Sequence, residues 1–171
     1  MEFALLGWPA DGPTLRLDHR EFAYAGKFVM SNTGKAVARE GDAVVAAVSF
    51  NADRTDDDTA WLRYVTVRED RRGEGVGPRL VAFATERLHE RFDVVRIAVN
   101  NPFAFEALHK AGFGWTGTET GIAELILEHP GDPDRYEDGL AVFAERDLSS
   151  DEEAFLAERS GPPATLDPEA Y

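Results

Sequence analysis

The chain has 171 residues, long enough to bury one core and short for two, and carries 32 Asp and Glu against 18 Lys and Arg, a formal charge of -14. That balance argues against nucleic acid or an anionic membrane as a partner, and the absence of cysteine removes disulfides and thiolate nucleophiles. Lysine occurs only as Lys27, Lys35 and Lys110, a lysine-poor, acid-rich pattern resembling proteins of halophilic archaea, where the Debye length falls to about 3 Å at molar salt. The N-terminal MEFALLGWPADGP has an acidic residue where a signal peptide carries basic ones, and no stretch approaches the ~20 apolar residues of a membrane span. A mature, soluble, cytoplasmic protein is therefore expected.

In chain order, the alternation in TLRLD (14–18) predicts a first strand, while 19–32 mixes both periodicities and stays open. GKAVARE (34–40) and DAVVAAVSFN (42–51), joined through Gly41-Asp42, predict a hairpin. A polar loop (52–60) leads into a strand, WLRYVTVR (61–68), with Leu62, Tyr64 and Thr66 expected on one face and Val65 and Val67 on the other. Val76, Leu80, Phe83, Ala84 and Leu88 recur at helical spacing, so a helix should run from Gly75 to about Arg91. A buried strand follows at 94–100, then a helix at 102–112 stopped by Gly112, a loop over 114–121 and a strand at 122–129. Strand, helix, strand over 61–100 is a crossover unit, hence locally parallel. The breaker-rich 130–139 reads as a loop and 140–148 as a last strand. Ser149 or Ser150, with Glu152 or Glu153 three residues on, predicts a capping box opening a helix of about ten residues. The last ten residues read as a loose tail.

The stretch REDRRGEGVGPRL (68–80) sets Gly73, Gly75 and Gly77 at alternate positions between a strand and a helix. Glycine in regular structure costs roughly 0.5–1 kcal/mol relative to alanine, so the cluster implies something that must approach the backbone. A turn of this kind presents N–H groups at the positive end of a helix dipole, a site for phosphate or pyrophosphate. A P-loop is excluded, because no lysine lies between 36 and 109. A dinucleotide fingerprint fits poorly, because the spacing is G-x-G-x-G and no acidic partner stands near 97.

VTVREDRRGEGVGPRLV (65–81) resembles the central [QR]-x-x-G-x-[GA] motif of the GNAT superfamily of N-acetyltransferases, filled here by Arg72, Gly75 and Gly77. NPFAFEALHKAGF (101–113) resembles that family's second signature, matching at Asn101, Ala104, Lys110, Gly112 and Phe113. The resemblance covers about residues 34–128. It implies a single-domain α/β fold (α+β by some schemes), a mixed six- to seven-stranded sheet with helices on both faces, so the chain is expected to divide into that domain over 1–148 and the C-terminal helix, read from its capping box, with the tail at 149–171. It also implies transfer of an acetyl group from acetyl-CoA to the amine of a small molecule, protein or peptide, by direct attack. By the same resemblance, the backbone of Arg72, Gly73, Glu74, Gly75, Val76 and Gly77 would hold the pyrophosphate. The strand edge at Val65 to Val67 would pair with the pantetheine arm and polarise the acyl carbonyl, and Asn101 would contact the cofactor arm. Eight of the fifteen arginines lie between 61 and 96, a local positive island suited to a polyanionic cofactor.

The sequence departs from the family where proton transfer is concerned. The tyrosine that protonates the departing thiolate in that family aligns with Leu108, and His109 lies about 100° of helix away. Relatives that use a glutamate base carry it where Trp61 stands, which leaves Tyr64, His109, Glu119, Glu124 or a water chain to move protons. Trp115 and Tyr136 are candidates to line an acceptor pocket. His19, His89, His109 and His129 show no metal spacing, so no metal is expected, and His89 and His129 read as surface residues. The C-terminal helix at 150–159 reads as either a cap or a homodimer contact. A non-catalytic acyl-CoA-binding or regulatory module is the alternative that Leu108 and the missing glutamate support.

Overall fold

A computed structural model describes residues 1–159 and 161–167. Its contacts divide into two compact units, Met1–Val95 with Asp167, and Arg96–Leu166. Among the described residues the architecture is α/β with seven strands, within the six to seven expected.

In the first unit, β1 (Glu2–Gly7), β2 (Gly34–Glu40), β3 (Ala43–Ala52) and β4 (Thr59–Val67) lie side by side in that order, each antiparallel to the next. Ala36 to Ala38 and Val45 to Val48 are fully buried. A strand that is apolar at every position, rather than at alternate ones, is covered on both faces. One cover is α1 (Val76–Leu88), which buries Val76, Leu80, Val81, Phe83, Ala84 and Leu88. Each large apolar side chain so buried contributes roughly 1.5–3 kcal/mol. The other cover is the connection 8–33, whose Phe28 packs with Val37 and Ala47, flanked by Leu15, Leu17 and Tyr64. Lys35, fully buried, fastens that connection: its ammonium donates to the carbonyls of Pro13 (2.5 Å), Met30 (2.6 Å) and Thr33 (3.0 Å) and to the Thr33 hydroxyl (2.9 Å). The β2–β3 hairpin forms as read, with Glu40 opposite Ala43 and Gly41 at φ 59° in the turn.

The second unit holds most of β5 (Val94–Val99), then α2 (Pro102–Lys110), β6 (Gly114–Glu119), β7 (Leu125–His129), α3 (Tyr136–Ala144) and α4 (Ser150–Ala157). Its strands run in the order β5-β7-β6, and β6 pairs antiparallel with β7. Phe105 of α2 stacks on Tyr136 (5.6 Å between centroids) and meets Phe143 edge-on (5.6 Å). The capping box of α4 is closed: Glu152 N–H donates to the Ser149 hydroxyl (3.2 Å), and Ser149 N–H donates to the Glu152 carboxylate (3.1 Å).

Four expectations differ from the structure. The first strand is Glu2–Gly7, whereas 14–18 forms no ladder; Leu15 and Leu17 alternate because extended chain packs one side onto the Phe28 cluster. The segment 140–148 is not a strand: 145–148 are a turn and irregular chain, and 140–144 belong to α3, in which Tyr136, Gly139 and Phe143 recur at helical spacing. Gly139 works there as the space that admits the Phe105 ring rather than as a breaker. Residues 114–119, read as loop, form β6, whose glycines hid the pattern: Gly114 abuts the Asp132 backbone and Gly117 sits at φ 86° under Arg135. Finally, the β3–β4 register shifts between Ser49 and Phe50, leaving Arg63 as an extra residue. That bulge reverses the phase of β4, so Leu62, opposite Phe50, shares the face of Val65 and Val67 instead of that of Tyr64. The tail is tied down at one point, since Leu166 N–H donates to the Lys110 carbonyl (2.7 Å); the part of the tail expectation on 168–171 lies outside the described residues.

Candidate functional site

The loop between β4 and α1 is built to stay open. Gly73 and Gly75 take φ 81° and 78°, where a side chain is strained, and space around both is empty. Gly77 faces β4, and a Cβ there would stand 3.3 Å from Val67 Cγ2, so glycine lets the helix start close against the strand. Gly75 is the N-cap of α1 and supplies no capping side chain, and the first turn contains no acidic residue. Among the described residues, none of the backbone N–H groups from Gly73 to Gly77 donates to an acceptor in the chain. Five consecutive backbone N–H groups therefore stand without an acceptor in the chain at the positive end of a thirteen-residue helix, Gly73 to Gly75 on the exposed turn and Val76 buried beneath it.

Side chains brace this loop without filling it. Arg71 pairs with Glu40 and, at 2.7 Å, with Glu74, which raises its pKa above the ordinary arginine value and lowers that of Glu40. Arg68 is taken up by Asp70 at 2.6 Å. Arg72 leans back on the strand, its Nε donating to the Val67 carbonyl (3.2 Å), and no described carboxylate pairs with it. The positive island read from the sequence is half neutralised: Arg68, Arg71, Arg87 and Arg96 pair with carboxylates, and Arg79 and Arg91 lie over the rings of Phe3 and Trp8. Arg72 at the loop and Arg63 on β4 keep their charge available. Val65 and Val67 stand opposite Val48 and Ala46 on β4, directly before the loop.

The other residues singled out are distributed differently. Asn101 caps α2: its Oδ1 accepts from Ala104 N–H (2.8 Å) and its Nδ2 donates to Asn100 Oδ1 (3.2 Å). Leu108 is buried, as is His109, which is 3% exposed. The His109 ring lies against Phe105 and Tyr136, and its Nδ1 hydrogen donates to the Phe105 carbonyl (2.8 Å). That bond fixes the tautomer, so the buried Nε2 carries no proton, and burial holds the pKa of the ring below its usual value. Glu119 is exposed and paired with Arg146 (3.3 Å), and Glu124 closes the β6–β7 turn through Thr120. Tyr136 is fully buried in the second unit's core, so it lines no pocket, and Trp115 donates to the Thr118 carbonyl (3.0 Å). No group of three or more metal-ligating side chains occurs among the described residues.

Tyr64, another of the proton-transfer candidates, borders a cavity. About 550 Å³ in volume, it lies within the first unit, between β3, β4 and the connection that Lys35 holds. Sequence reasoning missed this cavity, because its walls come from segments thirty residues apart and its shape depends on the bulge at Arg63.

The family model of the acetyltransferase (GNAT) family matches residues 4–113. No curated protein sequence matches this chain significantly. Among solved structures, ribosomal-protein-alanine N-acetyltransferase from Brucella melitensis is similar at a TM-score of 0.50 and 22% identity, over 56% of this chain and 67% of that one. For yncA from Salmonella typhimurium, solved with its cofactor acetyl-CoA, the score is 0.51 at 18% identity, over 58% and 65%. Nourseothricin acetyltransferase gives 0.50 at 23%, over 58% and 66%. These likenesses are likenesses of fold; the family match, which spans more than half of the chain and both glycine-loop and α2 signatures, places the protein in the GNAT family of acetyltransferases.

Proposed function

We propose that the protein transfers the acetyl group of acetyl-CoA to an amine by direct attack. The observation that carries this is the row of five unclaimed N–H groups from Gly73 to Gly77 with Arg72 beside them, a cradle whose charge and geometry suit a pyrophosphate. The fit is to the donor's polyanionic part, and acetyl-CoA would supply an activated thioester. From that anchor the pantetheine arm would run along β4, with a backbone N–H of the Val65–Val67 segment polarising the thioester carbonyl. Asn101 has one amide hydrogen left over from its capping role to offer the arm.

The step balances without an enzyme-bound intermediate. The neutral amine attacks the carbonyl carbon, the carbon–sulfur bond breaks, coenzyme A leaves as the thiolate, and the amine's proton passes to water. Leu108 has no proton to give, and His109 holds its one ring proton against Phe105. A thiol pKa near 8.5 makes the thiolate a tolerable leaving group without an acid. The acidic, lysine-poor surface further suits a cytoplasm at molar salt, and a melting temperature that fails to rise with potassium chloride would remove that part of the reading.

The test is incubation with acetyl-CoA and an amine library, with acetylated product followed by mass spectrometry alongside a thermal shift on cofactor alone. Stabilisation and product are expected. A shift without product from any amine would favour the non-catalytic module, and no shift would remove the loop as a coenzyme A site.

A further inference from the structure

We propose that the cavity beside β4 is the acceptor pocket and that it selects small amines bearing a carboxylate, gripped by Arg63 with Lys27. This rests on the acetyltransferase reading above. The bulge turns Arg63 and its neighbour Tyr64 toward the same side, and with Trp61 both face the cavity. Tyr64 directly precedes Val65, where the strand edge assigned to the thioester begins. Two residues of strand, on the order of 7 Å, separate Arg63 from that edge, so a small ligand held by its carboxylate at Arg63 lies near enough for its amine to be directed at the thioester.

The charge pattern points to the ligand's sign. The chain has 32 carboxylates, yet Lys27, Arg54 and Arg63 line this one cavity and none pairs with a described carboxylate. The sole lining carboxylate, Asp53, stays an anion, since Thr55 N–H (3.0 Å) and the Trp61 indole (2.6 Å) donate to it and hold its pKa down to about 2, so the lining carries three cations against one carboxylate. Arg63 is held in place rather than neutralised, with its Nε donating to Asn51 Oδ1 (2.6 Å) and its guanidinium 5.4 Å from the Trp61 ring centroid. Its two Nη groups have no acceptor among the described residues, and a planar fork of that kind binds a carboxylate through two parallel hydrogen bonds. Lys27 lies over the Tyr64 ring at 5.6 Å, and Tyr24 packs on Tyr64 at 5.4 Å, giving the cavity an aromatic wall for the body of the ligand.

The experiment pairs alanine with ethylamine, phenylalanine with phenethylamine and lysine with cadaverine. Binding is measured by calorimetry with and without coenzyme A, and acetylation is followed with acetyl-CoA. At least one amino acid should bind and be acetylated with kcat/KM at least about tenfold above its decarboxylated partner. Arg63→Gln should raise KM for that amino acid by about tenfold or more, with Arg63→Lys intermediate, while the thermal shift given by coenzyme A stays that of the wild type. Equal use of the decarboxylated amines, an unchanged KM in Arg63→Gln, or amino-acid binding under neither condition would overturn the proposal. Loss of the coenzyme A shift in the wild type would instead strike the donor site, and amino-acid binding without cofactor would still report on the pocket.

Discussion

The two sequence motifs that carry the family resemblance fold into regions of opposite character. In the loop 73–77 the backbone donors are left unspent, Gly73 and Gly75 take φ angles that only glycine adopts easily, and the surrounding side chains pair with one another at the rim. In α2 most polar side chains find work inside the protein, the buried His109 Nε2 and one amide hydrogen of Asn101 being left over. Asn101 caps the helix, Glu106 accepts from Tyr136 (3.2 Å) and pairs with Lys110 (3.3 Å) and Arg159, and His109 bonds its own helix backbone. The lesson is that a recurring motif can mark either a ligand site or the scaffold behind one, and the accounting of hydrogen bonds tells which.

The largest expected effect breaks the loop. Acetyl-CoA at a hundred times its Kd should stabilise the wild type by about 2.7 kcal/mol. Gly75→Glu, which sets bulk and a like charge in the cradle, should abolish the thermal shift, whereas Gly75→Asn, tolerant of the left-handed conformation, should keep part of it. A full shift in Gly75→Glu would mean the anion sits elsewhere.

Disturbing α2 should cost stability and leave the cofactor shift intact. Burial works against ionisation of Glu106, but the hydrogen bonds from Arg159 and Lys110 outweigh it, so its folded pKa lies below the ordinary carboxylate value. A depressed carboxylate contributes stability above its unfolded pKa and loses it as pH falls through the folded one. Glu106→Gln should therefore lower stability by about 1–3 kcal/mol at pH 7, and the gap from wild type should close as the pH is taken below about 4.5. A gap independent of pH would show that packing, not charge, carries Glu106.

The smallest effects are expected on turnover. Leu108→Tyr should change it by less than tenfold, because the position is buried and the leaving thiolate needs little help. His109→Ala should cost roughly 2 kcal/mol or more in stability through the cavity it leaves, while turnover well below the melting temperature stays within a few-fold. A hundredfold change from either substitution, of the order general acids supply, would convert this part of the scaffold into part of the machinery.

What the sequence by itself determined was local. The Gly41-Asp42 hairpin, the 76–88 stripe, the Ser149 box and the glycine loop each depend on residues within a dozen positions of one another, and all are present. What only the tertiary structure decided depended on distant partners. Glycines that looked like breakers proved to be points of close approach, Gly139 against Phe105 and Gly114 against Asp132, which turned an expected strand into α3 and an expected loop into β6. The alternation at 14–18 had no neighbouring strand to pair with, so the edge place went to Glu2–Gly7. A single extra residue at Arg63 set which side chains of β4 face the cavity, and a bulge is a property of two strands in register, which neither strand's sequence reveals alone. The arginines followed the same rule: their number was written in the chain, but which of them kept a free charge was settled by carboxylates as far off as Glu40 is from Arg71 and Glu128 from Arg96.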